Sequence, residues 1–384
     1  MLANNTVSTF KLSSLRQRRL PDSPMKVNAS QPQDEDLESL ICQGDFGAWF
    51  TIVGLIFIFF IMLTCLFGNS LVCVAGIKFS YLQSYSENFI LSLALSDIMV
   101  AVTVLPFDAV YWIAFPRWPL GGIACNLWNS LFFLFLTASV LNLMSISIDR
   151  FLAVVYPLRY NAWMTPTLNK FMIASVWVYS FIIAVLIFFL LEQPEDGIYG
   201  FDLHPVFHGF LIIGNVIFPF CVMIGLYYKI YRIAKGHSRR TLLVMSSTVD
   251  SSSSAGRVSR RKFARELRLA KTLGIVVLCF VICWLPFEII NIMILVDEGV
   301  ANCNVEIADT VTCWLAYMQC SLNPVLYALS SPEYRRAFKK LLLIRMQGSA
   351  DVEPVGLNSQ SNTAENVAKS ASYRSDQSAT VTDN

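Results

Sequence analysis

The stretch Ser321-Leu322-Asn323-Pro324-Val325-Leu326-Tyr327 puts an asparagine and a proline inside a run of hydrocarbon length. Proline in a spanning helix frees a backbone carbonyl, and an intramembrane asparagine has to find a polar partner. Both lower stability unless a neighbouring helix or a function uses them. The segment therefore reads as a membrane helix whose polar atoms face other helices.

Seven apolar runs lie at roughly 50–77, 89–112, 123–148, 171–191, 206–228, 272–296 and 311–329. Each approaches the ~20 residues that a helix needs to cross a hydrocarbon core. Composition agrees: 55% of the 384 residues are hydrophobic, 15% are charged, and mean hydropathy is +0.54. Soluble domains carry about a quarter charged residues, so the surplus apolar surface has to face lipid. The alternating ten-residue segments of a strand barrel are absent. The expected fold is an all-α membrane protein, a seven-transmembrane helix bundle over 49–344 that ends in a short amphipathic eighth helix at 332–344. A tail at 1–48 precedes it, and 345–384 reads as disordered.

Charge gives the orientation. Segment 229–271 holds twelve Lys/Arg against two acids, and 333–345 holds five against one. By contrast, 192–202 and 297–309 each hold four acids and no base. Excess Lys/Arg marks the cytoplasmic side, which places the N-terminus outside and the C-terminus inside. Most of these bases serve orientation and headgroup anchoring. The first twenty residues show no apolar core of a cleaved signal peptide. Asn4 and Asn28 open glycosylation sequons on the outer side. The Ser/Thr-rich stretches around Ser251 and after Gly348 offer phosphorylation sites.

Two further motifs join the first: Asp149-Arg150-Phe151 after the third run and Cys283-Trp284-Leu285-Pro286 within the sixth. In this order the set resembles the rhodopsin-like (class A) G-protein-coupled receptors over about residues 48–344, nearest to the biogenic-amine receptors. The resemblance implies a multi-pass plasma-membrane receptor that passes an extracellular small-molecule signal to a heterotrimeric G protein. Arrestin and receptor kinases are further implied partners, and nucleic acid is not expected.

The resemblance also assigns roles. Asn69, Asp97, Ser139 and Asn323 match the residues that meet at mid-membrane around a sodium ion and waters. A purely structural hydrogen-bond network is the plainer reading, and the two are compatible. Arg150, next to Asp149, and Glu266 match a clamp at the cytoplasmic mouth, and a partly exposed pair of this kind contributes ~1 kcal/mol. Phe151 replaces the commoner tyrosine. Tyr227 and Tyr327 match tyrosines that turn inward on activation, and Pro157-Leu158 resembles the plug inserted into a G protein. Pro219 and Pro286 are expected to kink their helices.

Seven of the ten cysteines fall within spans, where a thiol is most often a small buried hydrophobe. Cys42, Cys125 and Cys303 fall on the outer side, where disulfides can form. The family usually ties the third helix to a cysteine in the second outer loop, but 192–205 has none. Either Cys125 pairs with Cys42 or Cys303, or those two pair; a long closed loop favours Cys42 with Cys303.

For the ligand pocket, Trp284, Phe287 and Glu288 share one face of the sixth helix. Trp314 and Tyr317 are expected to stack towards the same mouth, with Phe132 and Asn215 beside them. Aromatics at helical spacing are more often core, but Trp284 matches the family's toggle tryptophan. One departure dominates. Amine receptors hold the ligand ammonium with an acid on the third helix; here that position is Phe132, and no acid lies between Cys125 and Asp149. Glu288 and Asp108 are the replacements expected, since an unpaired carboxylate in an apolar cavity is costly. His204 and His208 read as loop and packing residues, with no third metal ligand in sequence reach.

An opsin would need a lysine in 304–329, which has none. A transporter would show repeat symmetry, and an enzyme a clustered nucleophile and base; neither pattern is present. An orphan or constitutively active receptor for a peptide or lipid, or a non-signalling seven-helix protein, stays open as the alternative.

Overall fold

The computed structural model describes residues 47–82, 84–114, 118–192, 201, 203–247, 254–297, 300 and 303–347. Its elements are helices: α1 (Gly47–Lys78), α2 (Tyr85–Ala114), α3 (Gly121–Val155), α4 (Pro166–Leu190), α5 (205–247), α6 (Ser254–Val296), α7 (Cys303–Ser330) and α8 (Pro332–Gln347). A helical turn at Tyr160–Trp163 lies between α3 and α4. The bundle belongs to the first of two compact units, Met1–Lys339 and Lys340–Asn384.

Several boundaries follow from local chemistry. Thr165 caps α4, its hydroxyl accepting from Leu168 N at 3.2 Å, and Pro166 takes the first helical position, where no donor is missed. His204 and Pro205 do the same for α5, with His204 Nδ1 accepting from Val206 N at 3.3 Å. Ser331 caps α8 by accepting from Tyr334 N at 3.3 Å. α5 and α6 continue beyond their apolar runs into basic sequence, because Lys and Arg are good helix formers and hydropathy marks only the lipid-crossing part.

Among the described residues six helices, α1 to α6, are long and apolar enough to cross a membrane. α7 has 28 residues but carries Glu306, Asp309, Gln319 and Asn323. The expected seventh apolar run is thus a helix that starts earlier and is more polar than its neighbours. Its inward face explains this: Gln319 and Asn323 are buried against other helices, so lipid never meets them.

Prolines reshape two helices. A wide π turn at Val100–Val104 ends two residues before Pro106, and another at Phe210–Ile217 ends two before Pro219. Proline lacks an N–H and its ring crowds the carbonyl four residues back, so the chain widens to relieve both. The second π turn carries Asn215 inward, 2% exposed, where its Nδ2 donates to Thr137 Oγ1 at 2.6 Å.

α3 is the central helix, packed on α2, α4, α5 and α6, while α7 packs on α6 and α1 to close the ring. The apolar window of α3 is 61% buried, against 22% for α1, which faces outward along most of its surface. Closure needs α1 and α7 to approach closely at Gly68. A Cβ there would lie 2.8 Å from Pro324 Cγ and 3.0 Å from Pro324 Cβ. The ring is tied to the backbone and cannot yield. Gly68→Val should therefore destabilise the protein by about 1–3 kcal/mol, seen as a lower Tm of the detergent-solubilised protein. An unchanged Tm would show that α1 and α7 do not meet there.

Candidate functional site

Three polar groups lie along the bundle axis. The first is at the Arg150 end. Arg150 is 3% exposed and donates to Asp149 Oδ2 through Nε at 3.0 Å and Nη2 at 2.6 Å. Its Nη1 reaches Glu266 Oε2 on α6 at 2.9 Å. Nη2 also donates to Ser86 Oγ on α2, and that hydroxyl donates to Asp149 Oδ2. Tyr160, on the short helical turn, donates to Asp149 Oδ1 at 2.7 Å. Its phenol is held protonated, with its pKa pushed up by burial and then by the Asp149 carboxylate. The expected Arg150–Glu266 pair is present, but it is one arm of a network joining α2, α3, α6 and the turn after α3. Glu266 is the solvent-facing member, its side chain 24% exposed.

Around this network, Tyr227 packs among Phe151, Val154, Ile230 and Leu267. Tyr327 is buried, stacks on Tyr334 at 5.2 Å, and its hydroxyl has no hydrogen-bond partner among the described residues. Leu158, following Pro157, is 96% exposed. Tyr334 also donates to Glu87 Oε2 at the start of α2, which ties α8 to the bundle.

The second group sits at mid-bundle. Pro324 leaves the carbonyl of Cys320 without its helical donor, and Asn69 Nδ2 takes it at 2.9 Å while also reaching Cys65 O at 3.1 Å. Asp97 Oδ2 accepts from Asn323 Nδ2 at 2.8 Å, and Asn323 Oδ1 accepts from Gln319 Nε2 at 3.1 Å. Ser139 Oγ and Ser96 Oγ are 3.0 Å apart. Of the four residues expected to meet, Asp97 and Asn323 bond directly, Asn69 bonds the Cys320 carbonyl on the Asn323 helix, and Ser139 lines a cavity with Asp97. Beside them is a cavity of about 20 Å³ for the centre of a water-sized sphere, lined by Asp97, Ser139, Gln319, Phe132, Trp284 and Tyr317 among others.

The third group lies at the Glu288 end. Trp284 meets Phe132 at 6.1 Å, Phe280 at 5.8 Å and Phe287 at 6.2 Å between ring centroids. Phe132 in turn meets Tyr317 edge-on at 6.0 Å. Glu288 and Asp108 are 4% and 6% exposed. Trp314 departs from expectation. It stacks on Phe50 at 5.1 Å and contacts Phe57 and Trp112, on the α1–α2 side of the bundle. Three residues of helix rotate it by about 60° from Tyr317, enough to aim it at α1, where Gly54 leaves room for its ring. Asn215 is engaged with Thr137. His208 packs edge-on to Phe201 at 5.5 Å while His204 caps α5, so the two do different jobs.

Cys125 is buried near the start of α3, where its carbonyl accepts from Asn129 Nδ2 at 2.9 Å. Cys42, the Cys303 side chain, Asn4 and Asn28 lie outside the described residues. Sequence reasoning missed Ser86, Tyr160 and Asp309. Ser86 carries no motif; Asp309, whose Oδ1 accepts from Asn291 Nδ2 at 3.3 Å, was counted only as loop charge.

The chain fits the family described as 7 transmembrane receptor (rhodopsin family) over residues 68–327. The chain belongs to that family. The alpha-1A adrenergic receptor of Oryzias latipes is 33% identical over 303 residues, covering 72% of this chain and 63% of that receptor. The D(1A) dopamine receptor of Xenopus laevis is 34% identical over 324 residues, covering 74% and 71%. The D(1A) dopamine receptor of Didelphis virginiana is 32% identical over 345 residues, covering 80% and 76%. The chain thus spans less than two thirds of the first of these relatives. As a member of this family it is a multi-pass membrane protein.

The Asn69–Cys320 bond generates a test of the mid-bundle junction. Asn69→Leu keeps the branched shape but orphans a buried carbonyl, which should lower stability by about 1–3 kcal/mol. Thermal denaturation of the purified protein reads it. Equal stability would show that the freed carbonyl is satisfied by another group.

Proposed function

We propose that the protein is a plasma-membrane receptor that converts binding of an extracellular cationic amine into activation of a heterotrimeric G protein. The observation that carries this reading is the placement of two acids on α6: Glu266 paired with Arg150 at one end and Glu288 buried above Trp284 at the other. A helix so loaded links occupancy at the Glu288 end to release at the Arg150 end. The relatives' names support an amine ligand, one of them being dopamine itself. Lys/Arg excess in 229–271 supports a cytoplasmic Arg150 end and an external N-terminus.

In this mechanism Glu288 anchors the ammonium group, with Asp108 as secondary anchor. Trp284, Phe287, Phe132 and Tyr317 supply the aromatic wall, which also favours a cation. Asp149, Arg150 and Glu266 form the inactive-state clamp. When it opens, Tyr227 and Tyr327 brace the cleft, Tyr327 gaining the hydrogen bond its hydroxyl lacks among the described residues. Pro157 and the exposed Leu158 meet the G protein, and arrestin and receptor kinases act on the same face. Asp97 and Ser139 present carboxylate and hydroxyl oxygens to a cavity large enough for one ion or water, a donor set that fits sodium. Bound there, sodium would supply positive charge that keeps Asp97 ionised.

Two measurements test the reading. Glu266→Ala removes ~1 kcal/mol from the inactive state alone and should raise basal signalling about fivefold at matched surface expression. Unchanged basal signalling over several expression levels would remove the clamp. Glu288→Gln keeps shape and hydrogen bonding but deletes charge, so potency of dopamine or a related arylethylamine should fall by more than about tenfold. Unchanged potency, or activation by neutral ligands only, would overturn the amine assignment.

A further inference from the structure

One ammonium ion does not balance the charge gathered at the Glu288 end. Asp108 on α2, Glu288 on α6, and Glu306 and Asp309 on α7 are four acids, and none of them forms an ion pair among the described residues. Asp108 and Glu288 are more than nine-tenths buried. Asp108 Oδ2 has no hydrogen-bond partner among the described residues, and Asp309 has an amide, Asn291, rather than a base.

These acids share one electrostatic neighbourhood. Tyr111 lies in the field of Asp108, Glu306 and Asp309, Cys313 in that of Asp108 and Asp309, and Glu288 in that of Asp309. The carboxylates nevertheless do not converge on a point. Among the described residues no three His, Cys, Asp or Glu side chains come close enough to hold a metal ion. A single compact cation can therefore neutralise only part of the group, and a buried carboxylate left over is destabilising. An elongated cation with two charged ends matches the two acids that are more than nine-tenths buried, Asp108 and Glu288, and their placement on different helices.

We propose that the ligand is a dication, a diamine or an amine with a second basic group. One charged end sits on Glu288, in whose field Asp309 lies, and the other on Asp108. This rests on the amine reading above and specifies the ligand class for the same site. Phe132 supports it: with no acid on α3 between Cys125 and Asp149, the charges at this end are distributed across α2, α6 and α7.

The test uses the full-length receptor in cells with G-protein sensors, and length-matched probes: putrescine against n-butylamine, and hexamethylenediamine against n-hexylamine. In the wild type at least one diamine should exceed its monoamine in potency by about tenfold or more. Asp108→Asn should collapse that ratio at matched surface expression; if this variant does not reach the surface, Asp309→Asn is read in its place. Equal potency within both wild-type pairs overturns the dication, as does a ratio that survives both substitutions. Monoamine action that depends on Glu288 without any diamine advantage would sink this proposal and leave the amine receptor standing. Silence of all four probes on a receptor that a neutral ligand activates would remove both.

Discussion

The bundle depends on what becomes of the Cys320 carbonyl. Hydrocarbon offers no water to a backbone group, so a proline at 324 is tolerated only if another helix supplies a donor. Asn69 supplies it, and Gly68 beside it lets α1 come close enough to do so. The same junction holds Asn323 against Asp97, which fixes α7 relative to α2. Once α7 is placed, Tyr317 meets Phe132 on the central helix and Trp284 closes over the cavity beside Asp97. A single missing N–H thus sets the neighbours of four helices.

The Arg150 network follows a different logic. Asp149, the chain neighbour of Arg150, and Ser86 on α2 are both buried, and they hold the guanidinium whatever α6 does. Glu266 is the partner on another long helix that water can replace. Losing it costs far less than orphaning a buried charge, which is the condition for two states separated by a few kcal/mol. The full burial of Asp149 sets the strength of the fixed part; the partial exposure of Glu266 sets the softness of the movable part.

Much of this was legible in the sequence. Spans and their order follow from hydropathy, and the mid-membrane quartet from the resemblance to the family. What stayed hidden depends on rotation about a helix axis or on packing between segments distant in sequence. Trp314 and Tyr317 are three apart, yet one faces Phe50 and the other Phe132. Ser86 and Tyr160 join Asp149 from either side with no motif to announce them. The polarity of α7 was underestimated because its acids adjoin a loop, and a window that excludes them still reads as apolar.

Moving the acid away from α3 changes what a bound charge can do. α3 is packed on four neighbours, α2, α4, α5 and α6. An anchor there would hold a ligand against that helix. Glu288 instead lies two residues beyond Pro286, on the helix that Glu266 ties to Arg150. From Glu266 to Glu288 the helix is about 33 Å long at 1.5 Å per residue, and the proline interrupts its hydrogen-bond ladder near the upper end. A ligand biases a two-state protein only through contacts that differ between the states. In the proposed mode a cation at Glu288 would pull on the segment above the proline, towards Asp309 on α7. It would then act on α6 directly, with α3 contributing apolar shape through Phe132 rather than charge.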